Sequence, residues 1–394
     1  TFAGHVEWCR RALKILDEKK WFPPPGQEAS RPPPPPRIPL KPYVPPPQPD
    51  TWPATHNGLI FLWENAKARN LVTDPARGKP RPCVVSARGR AVLGPHFEMD
   101  VAGGSFIAQD ADDEVIFRAC RQTDQFALEA MLFPSQAWQK DAHIITFVPE
   151  RGSPNFALVH QDEGLSLKFK AGAAVSTPLV AELGVLEPGC PRHVIVSFAG
   201  GLLTCYVDGS PVAVHRDIGG GFGVWVPGRL VFGDTWEGGH DWHGCIEGVA
   251  IYNRYINEAN ARLKARLYRA VVGKRTAPPR VRLDAALLGK STPAPDTGVY
   301  GQALILYRYA VRQVLDGTYP HKHVQVLHWG GLADRPVGEI LTRQPGRAYT
   351  LTVEPAQSHP QLATENLGAD AEDLDLPRYY DVDRPLKPGP RDHD

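Results

Sequence analysis

Three stretches decide the fold: HVIVSFAGGLLTCYVDGSPVAV (193–214), GRLVFGD (228–234) and DWHGCIEGVAIYNRYINEANA (241–261). In the first, apolar residues run in short strand-like segments on both sides of Asp208-Gly209. That dipeptide supplies the positive backbone angles of a tight hairpin turn. The second holds a three-residue apolar run, Leu230 to Phe232, between glycines, and the third a longer run that passes into a helical pattern.

Upstream the same texture continues from about Gly58. GLIFLWEN, FALEAMLF, HIITFVPE, NFALVHQ and LSLKFKAG are short apolar or alternating segments divided by Gly, Pro, Asp and Asn. Their spacing of roughly 10–15 residues predicts an antiparallel sandwich over βαβ units. The order Tyr206-x-Asp208-Gly209, a strand, then Trp242-x-Gly244-x-Ile246-x-x-Val249-x-Ile251-Tyr252-Asn253-Arg254 and a helix resembles the last third of a laminin-G-like, concanavalin A-like jelly roll. After the Arg the family has Leu and then Ser-x-x-Glu; here Tyr255, Ile256, Asn257 and Glu258 follow. The resemblance implies a β-sandwich over 51–273 that binds other molecules, in a bacterial protein outside the cytoplasm. It names no ligand, because this sandwich hosts many functions. The helix EANARLKARLYRAVV, with Leu263, Leu267 and Val271 four apart, is expected to close the domain.

The flanks divide into further segments. Residues 1–22 read as an amphipathic helix, with Val6, Trp8, Cys9, Ala12, Leu13 and Leu16 on one side. Residues 23–50 read as a proline-rich arm: 14 of the 27 residues from Pro23 to Pro49 are proline, and as polyproline II the arm would reach roughly 80 Å. Trp8, Leu13, Trp21, Pro34 and Tyr43 are the side chains there best suited to grip a partner. Residues 274–298 read as a linker with one short apolar insert, and 299–370 as a small β-barrel or sandwich of OB or netrin-like type. Residues 371–394 read as an acidic, proline-containing tail, loose or an interaction strap.

Bulk properties restrict the function. With 44 Lys and Arg against 43 Asp and Glu, the net charge of +1 gives no field to attract nucleic acid. No run of 18 apolar residues exists to span a bilayer. The chain opens at Thr1 rather than Met, which fits a mature form after loss of a signal or anchor, so a periplasmic or extracellular place at a membrane is the expectation. Six cysteines lie singly with no CxxC, which argues against a zinc ribbon or covalent haem; disulfides and buried thiols remain alternatives.

Nothing local marks an enzyme. No Glu-x-Asp-x-Glu strand of a glucanase, GxSxG elbow, Walker loop or Rossmann fingerprint is present. Asp110, Asp112, Asp113 and Glu114 read as a solvated turn rather than a calcium loop. His321, His323 and His328 read as strand residues without ligand-like partners, and His240 and His243 as turn residues. No metal and no cofactor is expected. Trp225, Trp236 and Asp241 form the candidate ligand loop, since rings beside an acid can grip a sugar.

Two functions follow. One is a non-catalytic accessory subunit that stabilises a multi-protein assembly on the extracytoplasmic face of a bacterial membrane; a photosynthetic reaction-centre and antenna complex or a respiratory complex would suit such a clamp. The other is a cell-surface carbohydrate-binding protein.

Overall fold

The computed structural model describes residues 52–64, 70–172, 178–275, 277–292, 303–332, 335–370, 373 and 375–383. Trp8, Leu13, Trp21, Pro34 and Tyr43, with the N-terminal helix and proline arm read from the sequence, lie outside the described residues. The described residues fall in one unit, Pro49–Asp394, built as a sandwich followed by a barrel.

Alternation along the strands explains the layers. One sheet has ten strands, whose main path runs through Ser210–His215, Leu202–Val207, Arg192–Ala199, Gln125–Pro134, Gly244–Tyr252, Leu59–Trp63, Leu71–Thr73 and Pro80–Pro82. The other has seven: Leu179–Val185, Gly164–Phe169, Phe156–Asp162, Gln139–Val148, Arg229–Phe232, Gly104–Ala108 and Val85–Gly89. In Arg192–Ala199, Val194, Val196 and Phe198 enter the core between the sheets. Ile195, of opposite parity, joins Tyr206, Tyr252, Ile256, Ala261 and Tyr268 in a second apolar layer. That layer is covered by helix Glu258–Val272, so the strand is buried on both faces and reads as a continuous apolar run.

The expected hairpin is present: Asp208 and Gly209 have φ of 54° and 82°. Gly209 is required twice over, because a Cβ there would sit 2.9 Å from Arg262 Cα.

Two helices hold the sandwich. Helix α1 (Asp110–Thr123) has Asp110, Asp112 and Asp113 in its first turn, where carboxylates complement the helix dipole. This corrects the reading of that acidic group as a turn: Val115, Ile116, Ala119 and Cys120 form a buried helical stripe behind it. Asp113 accepts a hydrogen bond from Leu230 N at 2.9 Å and faces Arg229 Nε at 3.0 Å. Burial outweighs both and pushes its carboxyl up to about 8. Helix α2 (Glu258–Val272) is capped by Asn257, whose side chain accepts from Asn260 N. Its buried face is Ala261, Lys264, Ala265, Leu267 and Tyr268, rotated from the Leu263, Leu267, Val271 stripe of the sequence reading. A buried lysine sits at its centre because a carboxylate awaits it: Lys264 Nζ lies 2.7 Å from Glu129 Oε2, and both residues are within 1% of full burial.

The C-terminal part is a closed five-stranded barrel. Val281–Lys290 pairs with Ala303–Asp316, which pairs with His323–Leu332. His323–Leu332 pairs in parallel with Arg378–Asp381, and the ring closes through Ala348–Pro355 back to Val281–Lys290. A short helix, α3 (Gly338–Leu341), follows the third of these strands. Two sequence boundaries are corrected here. The supposed linker contains the first barrel strand, with Val281, Leu283, Ala285 and Leu287 facing inward. The supposed tail contributes the strand that completes the ring, because Tyr379 and Tyr380 find apolar partners in the barrel and beside it. Val92 of the sandwich packs with Leu304, Leu306, Leu327 and Trp329 of the barrel, so the two share an apolar seam.

Candidate functional site

A ligand approaching the sandwich from the seven-stranded side meets the outward parity of its strands. The register aligns Ser86, Ile107, Val231, Thr146, Ala157, Lys168 and Val180 in one cross-strand row. The loop after Phe232 folds back over this face. Gly233 opens it at φ 90°, where a Cβ would strike Val101. Asp234 then knots the loop: its Oδ1 accepts from Thr235 N at 2.7 Å and His240 N at 2.8 Å, and its carbonyl accepts from Thr146 Oγ1. His143 N donates to His240 O at 2.9 Å, which sews the loop to the sheet.

The loop brings His240 onto Asp141 and His143. Asp141 sits at φ 44° beside a register shift, an irregularity that re-aims its side chain. His240 Nδ1 lies 3.2 Å from Asp141 Oδ2 and 2.9 Å from the Asp141 carbonyl. His143 Nε2 lies 3.6 Å from Asp141 Oδ1, and Lys168 Nζ 3.0 Å from the same oxygen. Burial, reinforced by the Lys168 charge, pulls His143 down to about 4, so its ring is neutral at pH 7. Burial acts against the Asp141 charge, but the Lys168 hydrogen bond and charge and the two imidazoles outweigh it and hold that carboxyl low. Two imidazoles and an ionised carboxylate make a donor set suited to a divalent transition metal.

The candidate ligand loop read from the sequence does not assemble. Trp225 is 1% exposed, packed in edge-on and tilted contacts among Phe126, Phe147, Phe156, Phe169 and Phe222, with its indole N–H donating to Lys170 O at 2.6 Å. It is a core residue and has no face to offer a sugar. Trp236 is half-buried, but the guanidinium groups of Arg88 and Arg229 lie 4.2 Å and 4.5 Å from its ring centroid. Asp241 is half-buried beside Trp242. Trp242 is fully buried and donates to His160 Nδ1 at 3.2 Å, while His160 Nε2 faces Ala137 O. His321 and His323 are exposed. His328 is buried in the barrel between Asp381 (2.8 Å) and Tyr309 OH (3.0 Å), a closed structural network.

Asp141, His143 and Lys168 were missed by sequence reasoning. The alternation in QKDAHIITF places Asp141 and His143 on one strand face, but their partner His240 lies about 100 residues away and nothing local announces it.

Elsewhere a broad cleft runs between α1 and the loops at Pro149–Arg151 and Val226–Arg229, lined by Phe117, Arg118, Arg121, Glu150 and Arg151 among others. At one edge of the sandwich, Leu179–Val185 and Ser210–His215 end their sheets and pack against each other. Val180, Val185, Val212 and Val214 on these strands are each about half exposed.

This is a jelly-roll sandwich with a barrel appended. Residues 110–261 match the family model described as the concanavalin A-like lectin/glucanases superfamily, and this stretch is a laminin-G-like domain of that superfamily. No curated protein matches the chain. Among solved structures, a Trypanosoma rangeli sialidase bound to 2,3-difluorosialic acid is similar at TM-score 0.39 and 17% identity, over 55% of this chain and 34% of that one. The chain thus spans about a third of the sialidase. The binding domain of botulinum neurotoxin serotype D/C is similar at TM-score 0.41 and 11% identity, over 76% of this chain and 82% of that one. No helix among the described residues is long and apolar enough to cross a membrane.

Proposed function

We propose that the protein is a non-catalytic accessory subunit, held by strand-edge contacts in a multi-protein assembly on the extracytoplasmic face of a membrane. One observation carries this reading: the edge strand Ser210–His215. Among the described residues it pairs as a strand only with Leu202–Val207; on its other edge, beside Leu179–Val185, it forms no ladder, and Pro211 has no N–H to offer there. Ala213 turns into the core while Val212 and Val214 are exposed, where native edges are usually guarded by charge. An unpaired edge flanked by β-branched side chains suits strand addition by a partner. The non-catalytic part belongs to this proposal: the cluster at Asp141 offers one carboxylate between two imidazoles and an ammonium, rather than the carboxylate pair that most glycosidases use.

The test is co-purification from the native host with Val212→Asp and Val214→Asp combined. The wild-type chain should bring stoichiometric partner subunits with it, and the variant should elute alone at unchanged melting temperature; equal recovery of partners would reject the edge as the contact. A second reading, carbohydrate binding, is favoured by the cleft beside α1, where planar Arg118, Arg121 and Arg151 and the ring of Phe117 could grip a saccharide. A glycan panel decides it: saturable binding lost with Arg121→Ala supports this reading, and silence across the panel removes it.

A further inference from the structure

The geometry points to Asp141, His143 and His240 as a binding site for one divalent transition metal ion of the zinc class, which clasps the loop of residues 233–243 onto the seven-stranded sheet. Zinc bonds to nitrogen and oxygen of about 2.0–2.2 Å at tetrahedral angles place donor atoms roughly 3.3–3.6 Å apart. The His143 Nε2 to Asp141 Oδ1 separation of 3.6 Å and the His240 Nδ1 to Asp141 Oδ2 separation of 3.2 Å lie at this spacing. One donor atom from each of the three residues falls within 4.8 Å of the others.

The fold also leaves His143 unspent. Its side chain is 8% exposed, and Nδ1 has no hydrogen-bond partner among the described residues. The nearby His160 differs: both of its ring nitrogens are engaged, by Trp242 and Ala137. At Nε2, the nitrogen turned to Asp141, the 3.6 Å to Oδ1 is too long for a hydrogen bond, so this nitrogen is available to a metal.

Lys168 gives the site its particular behaviour. Its ammonium, 3.0 Å from Asp141 Oδ1, occupies the place of a cation when the metal is away. A metal must therefore displace Lys168 and draw His240 off the Asp141 carbonyl. Both side chains are about a third exposed and have room to move. With three protein ligands, the fourth position remains for water.

The experiment uses the full chain stripped of metal by chelator and titrated with Zn2+ alone by calorimetry, with Co2+ as a visible-absorption probe. Wild type should take up Zn2+ at this site and melt higher with it, and Co2+ should give the intense bands of a four-coordinate site. His240→Ala, at a partly exposed position, should weaken the binding roughly tenfold or more while folding normally. Lys168→Met should tighten it, because the competing cation is gone; a merely structural cluster would not show this opposite sign. No Zn2+ uptake by the wild type, or uptake that His240→Ala and Lys168→Met both leave unchanged, would overturn the proposal.

Discussion

Replacing Lys264 by Met tests how the closing helix is held. Glu129 is fully buried, and its carboxylate receives four donors: Trp52 Nε1 at 2.5 Å and His193 Nε2 at 2.9 Å on Oε1, Lys264 Nζ at 2.7 Å and Tyr252 OH at 3.0 Å on Oε2. Burial alone would raise this carboxyl, but the Lys264 charge and the His193 hydrogen bond overturn that and hold it near 2. Lys264 Nζ also donates to Pro53 O at 2.6 Å and Tyr252 OH at 2.7 Å, so one ammonium ties α2, the Gln125–Pro134 strand and the chain's entry to the sandwich together. Removing one member of such a pair strands a charge and costs about 3–5 kcal/mol. At about 2 °C per kcal/mol for a unit of this size, Lys264→Met should melt roughly 6–10 °C below wild type. The assay is thermal and urea unfolding followed by tryptophan fluorescence and circular dichroism. Glu129→Leu combined with Lys264→Met should recover much of the loss, since no unpaired charge remains. A Lys264→Met melting point within a degree of wild type, or additive losses in the double variant, would refute the reasoning. Because the folded carboxyl is depressed below its ordinary value of 4.5, its contribution is complete above that pH and fades as pH falls toward 2.

Other outcomes follow from particular sites. Glu98 is buried, and desolvation raises its carboxyl to about 7 even though Oε2 accepts from His96 N. The folded state therefore binds the extra proton between about 4.5 and 7, and stability should fall as pH rises through that window; in urea titrations Glu98→Gln should flatten that slope. Gly209→Ala should cost about 2–3 kcal/mol in the same assay, because φ is 82° and the new Cβ meets Arg262 Cα at 2.9 Å. Among the described residues none of the five cysteines forms a disulfide. Cys190 is exposed, whereas burial pushes Cys83 and Cys205 up to about 12 and Cys120 higher still. A thiol reagent should thus modify Cys190 quickly and these three only on unfolding, as mass mapping would show.

The sandwich was legible because its signals are local. The Asp208-Gly209 turn, the period-two runs and the Trp242 to Arg254 pattern each act within a few residues. Helix α1 was not, since its four acids mask the Val115, Ile116, Ala119, Cys120 stripe behind them. The barrel strand at Val281–Lys290 was obscured by flanking prolines and basic residues, and Arg378–Asp381 by the acidic, proline-rich composition around it. The burial of Lys264 was not legible, because its partner Glu129 lies 135 positions earlier. Trp225 and Trp236 looked alike in sequence; only packing separates Trp225, in the core as Trp242 is, from Trp236 under two arginines. Asp141, His143 and His240 share this difficulty, since a strand bulge and a returning loop, rather than spacing, bring them together.

Amide hydrogen exchange on residues 210–215, in the isolated chain and in the assembly purified from its host, bears most directly on the binding role. The outward amides of this strand should exchange within seconds in the isolated chain and slow by orders of magnitude once a partner strand caps the ladder. Identical exchange in both samples, with the partner present at full stoichiometry, would contradict it.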